Sequence, residues 1–369
     1  MIAIKNGKVL QPDGSFLNNA TVLVEGGQIK AVGQQVEVPA DAEIVDATGK
    51  WVTPGLIDAH THISTFNEPN WHRTRNDGNE MSGPIQCHLR GIDALNPFDY
   101  GIPIARSAGF TTCYTGPGSA NVVCGTGISF KTKAGSTVFD IIIPGSEHMK
   151  MALGENPRNC YGFRKQQMPT TRMGVGAVLR EALFNAKVYS DAKLAHEKDP
   201  SKEAPKPDFK LDALVPVMRR EMKCRIHAHR ADDICTAIRI CKEFDLDFSI
   251  EHATEGYKIT DVLQKNDVTC VVGPHLWGPG KQEIHGLSLH TPAALHEAGI
   301  TVCLTADSGS QTQFLPATVG ILMVNGLDEQ AAFEGVTINP ARLLGVADKM
   351  GSIEVGKDAD LAVFSDHPF

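Results

Sequence analysis

The chain has 369 residues, of which 42% are hydrophobic and 21% are charged, and its formal net charge is −8. This apolar fraction can bury a large core, which excludes a disordered chain and a small scaffold held together by disulfides. The acidic balance, without a basic cluster, argues against nucleic acid as a partner. No run of about 18 apolar residues occurs, so we expect no membrane partner either.

The nine cysteines indicate a reducing compartment. They are scattered and form no Cys-x-x-Cys pair, which favours free thiols over a disulfide framework or a zinc finger. The first residues, from Met1 to Gly7, lack a basic stretch followed by a long apolar segment, so we expect no secretory signal. The sequence therefore predicts a cytoplasmic protein.

Residues 1–51 predict a small β-module without helices. Short apolar segments alternate with turn signals such as Asn6-Gly7 and Gly26-Gly27, a pattern that is typical of β-hairpins. Residues 350–369 return to turns and strands, and we expect them to rejoin this sheet. The two ends of the chain are thus predicted to form a small discontinuous β-sandwich domain.

Residues 52–349 change to strands that alternate with amphipathic helices, including a long helix from Arg172 to about Ala195. The predicted strands are residues 56–63, 111–114, 138–143, 225–229, 247–252, 268–272 and 301–305. Repeated β-α units of this size predict an α/β fold with a parallel sheet, most economically a (β/α)8 TIM barrel. Residues 64–99 are too many for an ordinary connection and predict a lid or a wall of the site. The Gly-rich stretch 116–127 predicts a loop there.

Histidines at strand ends give the clearest indication of chemistry. In Asp58-Ala59-His60-Thr61-His62, the two imidazoles are two residues apart on a strand and therefore share one face. His227 and His229 repeat this spacing on a later strand, and His252 and Asp307 end two further strands. Active sites of barrels lie at the C-terminal ends of the strands. We therefore expect these side chains to converge on a divalent metal ion.

Two segments resemble signatures of the amidohydrolase superfamily of metal-dependent hydrolases. The segment Val52-Thr53-Pro54-Gly55-Leu56-Ile57-Asp58-Ala59-His60-Thr61-His62 is similar to its first signature, and residues 351–361 are similar to its C-terminal one. The resemblance covers nearly the whole chain and points to the branch that holds imidazolonepropionases and Xaa-Pro dipeptidases. Members usually add another strand or two after the second signature, which leaves open whether the small module is complete at Phe369.

The resemblance implies a role for each residue of the predicted site. His60 and His62 match the metal ligands of the first barrel strand. His227 and His252 match ligands of the fifth and sixth strands. Asp307 matches the aspartate of the eighth strand, which binds metal and shuttles the proton as general base and acid.

Lys150 matches the fourth-strand lysine that is carboxylated in two-metal members and bridges both ions. Because an ammonium group is a poor ligand, Lys150 would first have to lose its proton and gain a carboxylate from CO2. Glu155 could supply a carboxylate in its place, or the site could hold a single metal ion. We expect zinc, as one or two ions, although histidine and carboxylate ligands also suit iron and manganese.

Residues next to these motifs are expected to contact the substrate. They are His229, Arg230, His275 and Glu155, with Trp71 and Trp277 as walls of the pocket. Arg230 could hold a substrate carboxylate through two parallel hydrogen bonds. From the resemblance, His229 would lie beside the metal ligands or touch the substrate.

These assignments predict a hydrolase acting on carbon–nitrogen bonds other than peptide bonds, with a small cyclic amide or an acyl amino acid as substrate. A metal in such a site lowers the pKa of bound water from 15.7 to about 7. Asp307 would take the proton and hand it to the leaving nitrogen. The alternatives are an Xaa-Pro-type dipeptidase or a deaminase on the same site, and a non-catalytic relative without bound metal. We also expect a homo-oligomer.

Overall fold

The computed structural model describes residues 1–66, 77–278 and 280–369. Five strands come first: β1 (Ile2–Leu10), β2 (Phe16–Glu25), β3 (Gln28–Gly33), β4 (Glu43–Asp46) and β5 (Trp51–Pro54). Eight more form the main sheet: β6 (Leu56–Thr61), β7 (Phe110–Thr115), β8 (Val123–Lys131), β9 (His148–Ala152), β10 (Cys224–Ala228), β11 (Phe248–His252), β12 (Thr269–Val272) and β13 (Val302–Leu304). The last strand is β14 (Leu361–Phe364).

Helices are concentrated after β9, where each barrel strand is followed by at least one helix before the next strand begins. The helices are α1 (Gly101–Ser107), α2 (Val138–Ile141), α3 (Glu155–Arg158), α4 (Arg172–Lys198), α5 (Phe209–Met218), α6 (Ala231–Glu243), α7 (Thr260–Lys265), α8 (Thr291–Glu297), α9 (Leu315–Val324), α10 (Glu329–Gly335) and α11 (Ile338–Leu343). The long helix predicted from Arg172 is α4. Thr171 caps it by accepting a hydrogen bond from Gly174 N (3.0 Å).

The main sheet has the order β6 to β13, and its strands follow one another in the sequence. This confirms a mixed α/β fold built on a nearly closed eight-stranded sheet. One strand departs from the predicted parallel barrel, because β8 runs antiparallel to both β7 and β9. Residues 116–122, which join β7 to β8, are too few for the crossover of about a dozen residues that a parallel pair needs, so the chain turns back as a hairpin.

Two local predictions beside β8 are wrong. The predicted loop 116–127 is partly strand, since β8 already begins at Val123. The predicted strand 138–143 begins as the short helix α2. Asp140 favours this helix, because its carboxylate accepts hydrogen bonds from the backbone N–H groups of Ser136 (2.9 Å) and Thr137 (2.6 Å) at the helix start.

The seam between the first and last barrel strands is held by contacts outside a strand ladder. Ile57 N donates to Val336 O (2.8 Å), and Thr305 Oγ1 lies 2.6 Å from His60 O. These contacts bring the end of β6 next to the segment after β13. The first and the last predicted motifs of the site therefore meet across this seam.

The two ends of the chain share a second sheet of order β14-β5-β1-β2-β3, with β4 paired to β1. Strand β14 pairs antiparallel with β5, so the tail rejoins the N-terminal strands as the sequence predicts. In the part of the chain that the structure describes, these strands make one sheet. The sandwich, and the domain boundaries at residues 51 and 350, stay predictions.

The nine cysteines are free thiols, and eight of them are buried. Within the described ranges, we find no helix that combines the length and the apolar character needed to cross a bilayer.

Candidate metal centre

The C-terminal ends of the barrel strands open into a cavity of about 750 Å³. Seven residues singled out from the sequence line it: His62, Glu155, His227, His229, His252, Trp277 and Asp307. Phe66, Asn79 and Met81 also line it, so the described part of the 64–99 segment forms a wall of the cavity, as expected. Trp71 lies outside the described residues.

The first group of possible metal ligands combines both ends of the seam. His60, His62 and Asp307 each bring a ligand atom within 4.8 Å of the others. Asp307 Oδ1 lies 3.2 Å from His60 Nε2 and 3.4 Å from His62 Nε2. Burial would raise the pKa of Asp307, but the neighbouring histidines, with His252 foremost, hold it well below its usual range. The carboxylate is therefore ionised.

The Nδ1 atoms of these two histidines form hydrogen bonds with acceptor oxygens. His60 Nδ1 lies 2.6 Å from Glu251 Oε2, and His62 Nδ1 lies 2.8 Å from Gly116 O. Both partners accept hydrogen bonds, so each Nδ1 carries the proton, and in a neutral ring Nε2 then carries a lone pair. Burial lowers the pKa of His62, which favours its neutral form.

The donor set therefore fits a divalent cation. The lone pairs of His60 and His62 face Asp307 Oδ1, which is buried and has no hydrogen-bond partner within the described residues. Electron pairs that converge without a proton between them repel one another unless a cation lies among them. Histidine and carboxylate are the ligands that zinc, iron and manganese accept.

Lys150 lies beside this group on β9. Its Nζ is 3.3 Å from His60 Nε2, and its side chain is buried. Burial lowers the pKa of the lysine, which favours the neutral amine that reacts with CO2. This position suits the predicted carboxylated bridge, which itself stays a prediction.

A second group consists of three histidines at the ends of β10 and β11, of which His229 lies one residue beyond β10. The ligand atoms of His227, His229 and His252 lie within 4.8 Å of one another, and all three residues are buried. Burial lowers the pKa of His227 to about 4 and those of His229 and His252 well below the usual range. Three buried imidazoles thus face one another at the cavity.

Glu283 is a residue of this site that the sequence reasoning missed. It is buried in the loop after β12, with Oε1 3.6 Å from His227 Nε2 and 3.7 Å from His229 Nε2. Lys281 Nζ donates to the same oxygen (2.8 Å). Burial would raise the pKa of Glu283, but His227 and Lys281 lower it to about 2. Its sequence neighbours are polar and suggest an ordinary surface loop, so no local pattern marked it.

Glu155, the predicted alternative ligand, is bound to Glu283 instead. Glu155 N donates to Glu283 Oε2 (2.8 Å), and Glu283 N donates to Glu155 Oε2 (3.0 Å). The groups of three or more ligand atoms found in the described ranges do not include Glu155. The structure therefore places Glu155 as a support for Glu283 that also lines the cavity.

Two predicted substrate contacts do not reach the cavity lining. Arg230 binds Asp232 through two hydrogen bonds of 2.9 Å at the surface. A guanidinium engaged in this way is not directed at a substrate carboxylate. His275 is buried after β12 and is absent from the cavity lining. Of the other two predicted contacts, His229 and Glu155 line the cavity.

Two further buried acids support the first group, and the sequence offered a signal for each. Glu251 interrupts the apolar strand β11, and a charge inside a buried strand requires a partner. Asp58 opens the first motif; its Oδ1 accepts from Thr305 Oγ1 (2.7 Å), and burial raises its pKa to about 6. Both residues hold the backbone or rings of the first group in place.

The comparison with known families agrees with this arrangement. The sequence profile of the amidohydrolase family matches residues 51–368. The chain belongs to the amidohydrolase family. The crystal structure of an amidohydrolase from Thermotoga maritima MSB8 is 40% identical, with a TM-score of 0.94, and the match covers 100% of this chain and 95% of that one.

More distant relatives carry several activities. Amidohydrolase tasK of Hapsidospora irregularis is 28% identical over 384 residues, which cover 94% of this chain but 38% of that protein. A dihydroorotase of Geotalea daltonii is 47% identical over 62 residues, or 17% of this chain and 15% of that protein. The chain thus spans well under half the length of these curated relatives. A Xaa-Pro dipeptidase with bound methionine shares the fold, with a TM-score of 0.58 at 18% identity, and the match covers 100% of this chain and 94% of that one.

Proposed function

We propose that this amidohydrolase is a metal-dependent hydrolase of a carbon–nitrogen bond in a small cyclic amide or an acyl amino acid. The observation that carries the proposal is the convergence of His60, His62 and Asp307 at the mouth of the barrel, with a second histidine group beside them. Buried lone pairs without protons between them are the environment of a cation, and this mouth is where barrels of this kind perform chemistry.

The chain offers ligands for one or two ions. His60, His62 and Asp307 would hold one, and His227 and His252 would hold the other, with Lys150 as a bridge if it is carboxylated. Zinc is the ion that we propose. A bound zinc ion supplies an activated water and polarises the substrate carbonyl.

Asp307 is the proposed proton carrier. The pKa of this carboxyl group is held well below its usual range, and an ionised carboxylate can accept a proton from the attacking water. It reaches the cavity lining, so it can deliver that proton to the leaving nitrogen. His60 and His62 fix its position from one side, at 3.2 Å and 3.4 Å from Oδ1.

The size and lining of the cavity support a small polar substrate. Its volume of about 750 Å³ is within the range of about 300–1,000 Å³ that is typical of small-molecule sites. Asn79, Asn156 and Asn159 line it and can bind amide or carboxylate groups. The names amidohydrolase and dihydroorotase of the relatives fit a cyclic amide.

The test is a hydrolysis screen of the zinc-loaded protein with cyclic amides, N-acyl amino acids and Xaa-Pro dipeptides. Ring opening or release of an acyl group supports the proposal. Release of amino acids from dipeptides alone would assign a dipeptidase, and release of ammonia would assign a deaminase. Asp307→Asn is expected to retain metal and lose turnover, whereas the exposed Asp41→Asn is expected to match the unaltered protein. Near-normal turnover by Asp307→Asn would refute its role as base.

A further inference from the structure

A groove on the outside of the barrel is not explained by the metal centre. It has a volume of about 760 Å³ and lies between α4, α5 and the segment around Ile85. Its lining is mostly apolar, and it includes the side chains of Met168, Phe184 and Val188, which are 55%, 60% and 55% exposed. Large apolar side chains that are exposed together, rather than singly, indicate an interaction surface.

The exposed face of α4 continues this apolar surface along the helix. Phe184 and Val188 are four residues apart and therefore share one face. Met173 and Ala177 are also exposed, and Ala177 lies seven residues, or two turns, before Phe184 on the same face. The helix has 27 residues and is thus about 40 Å long. Since the solvent face of a surface helix is ordinarily polar, this apolar stripe indicates a contact with another molecule.

The charges on this face are complementary to a second copy of the same helix. Glu181 and Lys187 lie three residues before and three residues after Phe184, and all three are exposed. If two copies of α4 pack antiparallel about a two-fold axis at Phe184, Glu181 of each copy faces Lys187 of the other. In the part of the chain that the structure describes, Glu181 forms no ion pair, and Lys187 binds Asp191 at the surface (2.9 Å). The Lys187 ammonium has three donors and can bind both carboxylates.

The groove is centred on the same point of the helix. The α4 residues that line it run from Val178 to Ala192, with Phe184 near the middle. A two-fold axis at this point brings Phe184 of each copy to the groove of the other. The protruding ring and the groove that receives it are therefore parts of one surface. A two-fold interface requires such a self-complementary surface.

We propose that α4 and the groove beside it form the interface of a homodimer, in which two copies of α4 pack antiparallel about a two-fold axis at Phe184. A second copy of this chain matches both the apolar ring and the two charges with the same surface. The inference goes beyond the proposed hydrolase function and does not depend on it. Among the described residues, none lines both this groove and the cavity of the metal centre.

The experiment is sedimentation equilibrium of the full-length protein across the micromolar range. The unaltered protein is expected to be a dimer. Phe184→Glu places two carboxylates at the two-fold axis and is expected to weaken dimerisation at least about 100-fold. Phe139→Glu is the matched control, because Phe139 on α2 is 80% exposed and lies outside the groove lining. It is expected to leave the dissociation constant of the dimer unchanged.

Charge reversal tests the two-fold pairing itself. Glu181→Lys and Lys187→Glu each set like charges against one another at both contacts, so each is expected to weaken dimerisation about tenfold or more. An equimolar mixture of the two variants is expected to regain the affinity of the unaltered protein, because a mixed dimer has opposite charges at both contacts. A monomeric unaltered protein would overturn the proposal and leave the groove to another partner. A dimer that Phe184→Glu does not weaken, or a mixture no tighter than the single variants, would overturn it as well.

Discussion

Arg225 and Glu251 form a fully buried ion pair inside the barrel, with both hydrogen bonds between guanidinium and carboxylate at 2.7 Å. The same carboxylate lies 2.6 Å from His60 Nδ1. The pair thus connects the charge balance of the barrel interior to the orientation of a proposed metal ligand.

Glu251→Gln is therefore expected to affect both stability and metal binding. It leaves the Arg225 guanidinium buried without a counter-charge, which should lower the free energy of unfolding by about 3–5 kcal/mol. His60 loses the acceptor that holds its Nδ1 proton, so zinc should bind about 10- to 100-fold more weakly. Urea denaturation and zinc titration measure the two effects.

Asp245→Asn is the matched control for that change, because it breaks the exposed pair between Arg220 and Asp245. An exposed pair contributes less than about 1 kcal/mol. If Glu251→Gln lowered the free energy of unfolding no more than this control, the prediction that the buried charge of Arg225 requires Glu251 would be wrong.

Gly154→Ala is expected to displace the Glu283 carboxylate. A Cβ at position 154 would lie 2.6 Å from Glu283 Oε2. Gly145 also has a positive φ, 83° against 82° at Gly154, but a Cβ there meets nothing within 4 Å. Both alanines therefore introduce backbone strain, and only Gly154→Ala should weaken zinc binding, by about tenfold or more. Equal zinc affinities of the two variants would contradict a supporting role of Glu283 beside the second histidine group.

His275 should make the protein sensitive to mild acid. Burial lowers its pKa to about 4 in the folded state, against an unfolded value of about 6.5. The unfolded chain therefore binds more protons between these values, and stability that is complete above pH 6.5 is lost as the pH falls towards 4. His275→Gln should reduce the loss in unfolding free energy between pH 7 and pH 5 by about 2 kcal/mol.

This measurement is made by urea denaturation of the metal-free protein, since metal loss in acid would add its own effect. His285→Gln, at an exposed histidine, is the control and should leave the pH dependence unchanged. An identical pH dependence in the unaltered protein and in His275→Gln would contradict the prediction.

Lys150 is expected to take up CO2. Burial lowers its pKa, so more of it is the neutral amine, whose nitrogen forms the new N–C bond and releases a proton. With ¹³C-bicarbonate, a carbamate resonance should appear in the unaltered protein and in the exposed Lys30→Met, and be absent from Lys150→Met. A resonance that persists in Lys150→Met, or none in the unaltered protein, would rule out this modification.

The histidine positions were predictable because strand alternation is local. Side chains two residues apart at the ends of β6 and β10 point to the same face of the sheet. Residues at the C-terminal end of a barrel strand lie at the mouth of the barrel, whatever the rest of the chain does. The spacing of His60 and His62 therefore located the site. The same reasoning placed His252 and Asp307 at the cavity.

The position of Glu283 and the direction of β8 were not predictable in this way. The first depends on a residue far away in the sequence, and the second depends on the length of a connection. Glu283 is fixed by Glu155, 128 residues away in the sequence, and its own loop offers no periodicity. The direction of β8 depends on the length of the connection after β7, and that length is visible only once both strand bounds are known. The pairing of Arg230 with Asp232, two residues further along the chain, is a local contact that the sequence reasoning did not consider.

The most direct test of the metal centre is a crystal structure of the zinc-loaded protein with anomalous data collected at the zinc absorption edge. We predict one anomalous peak among His60, His62 and Asp307, and a second beside His227 and His252 if the site holds two ions. A cavity without an anomalous peak, in crystals grown from zinc-loaded protein, would contradict the central claim that these residues form a metal site.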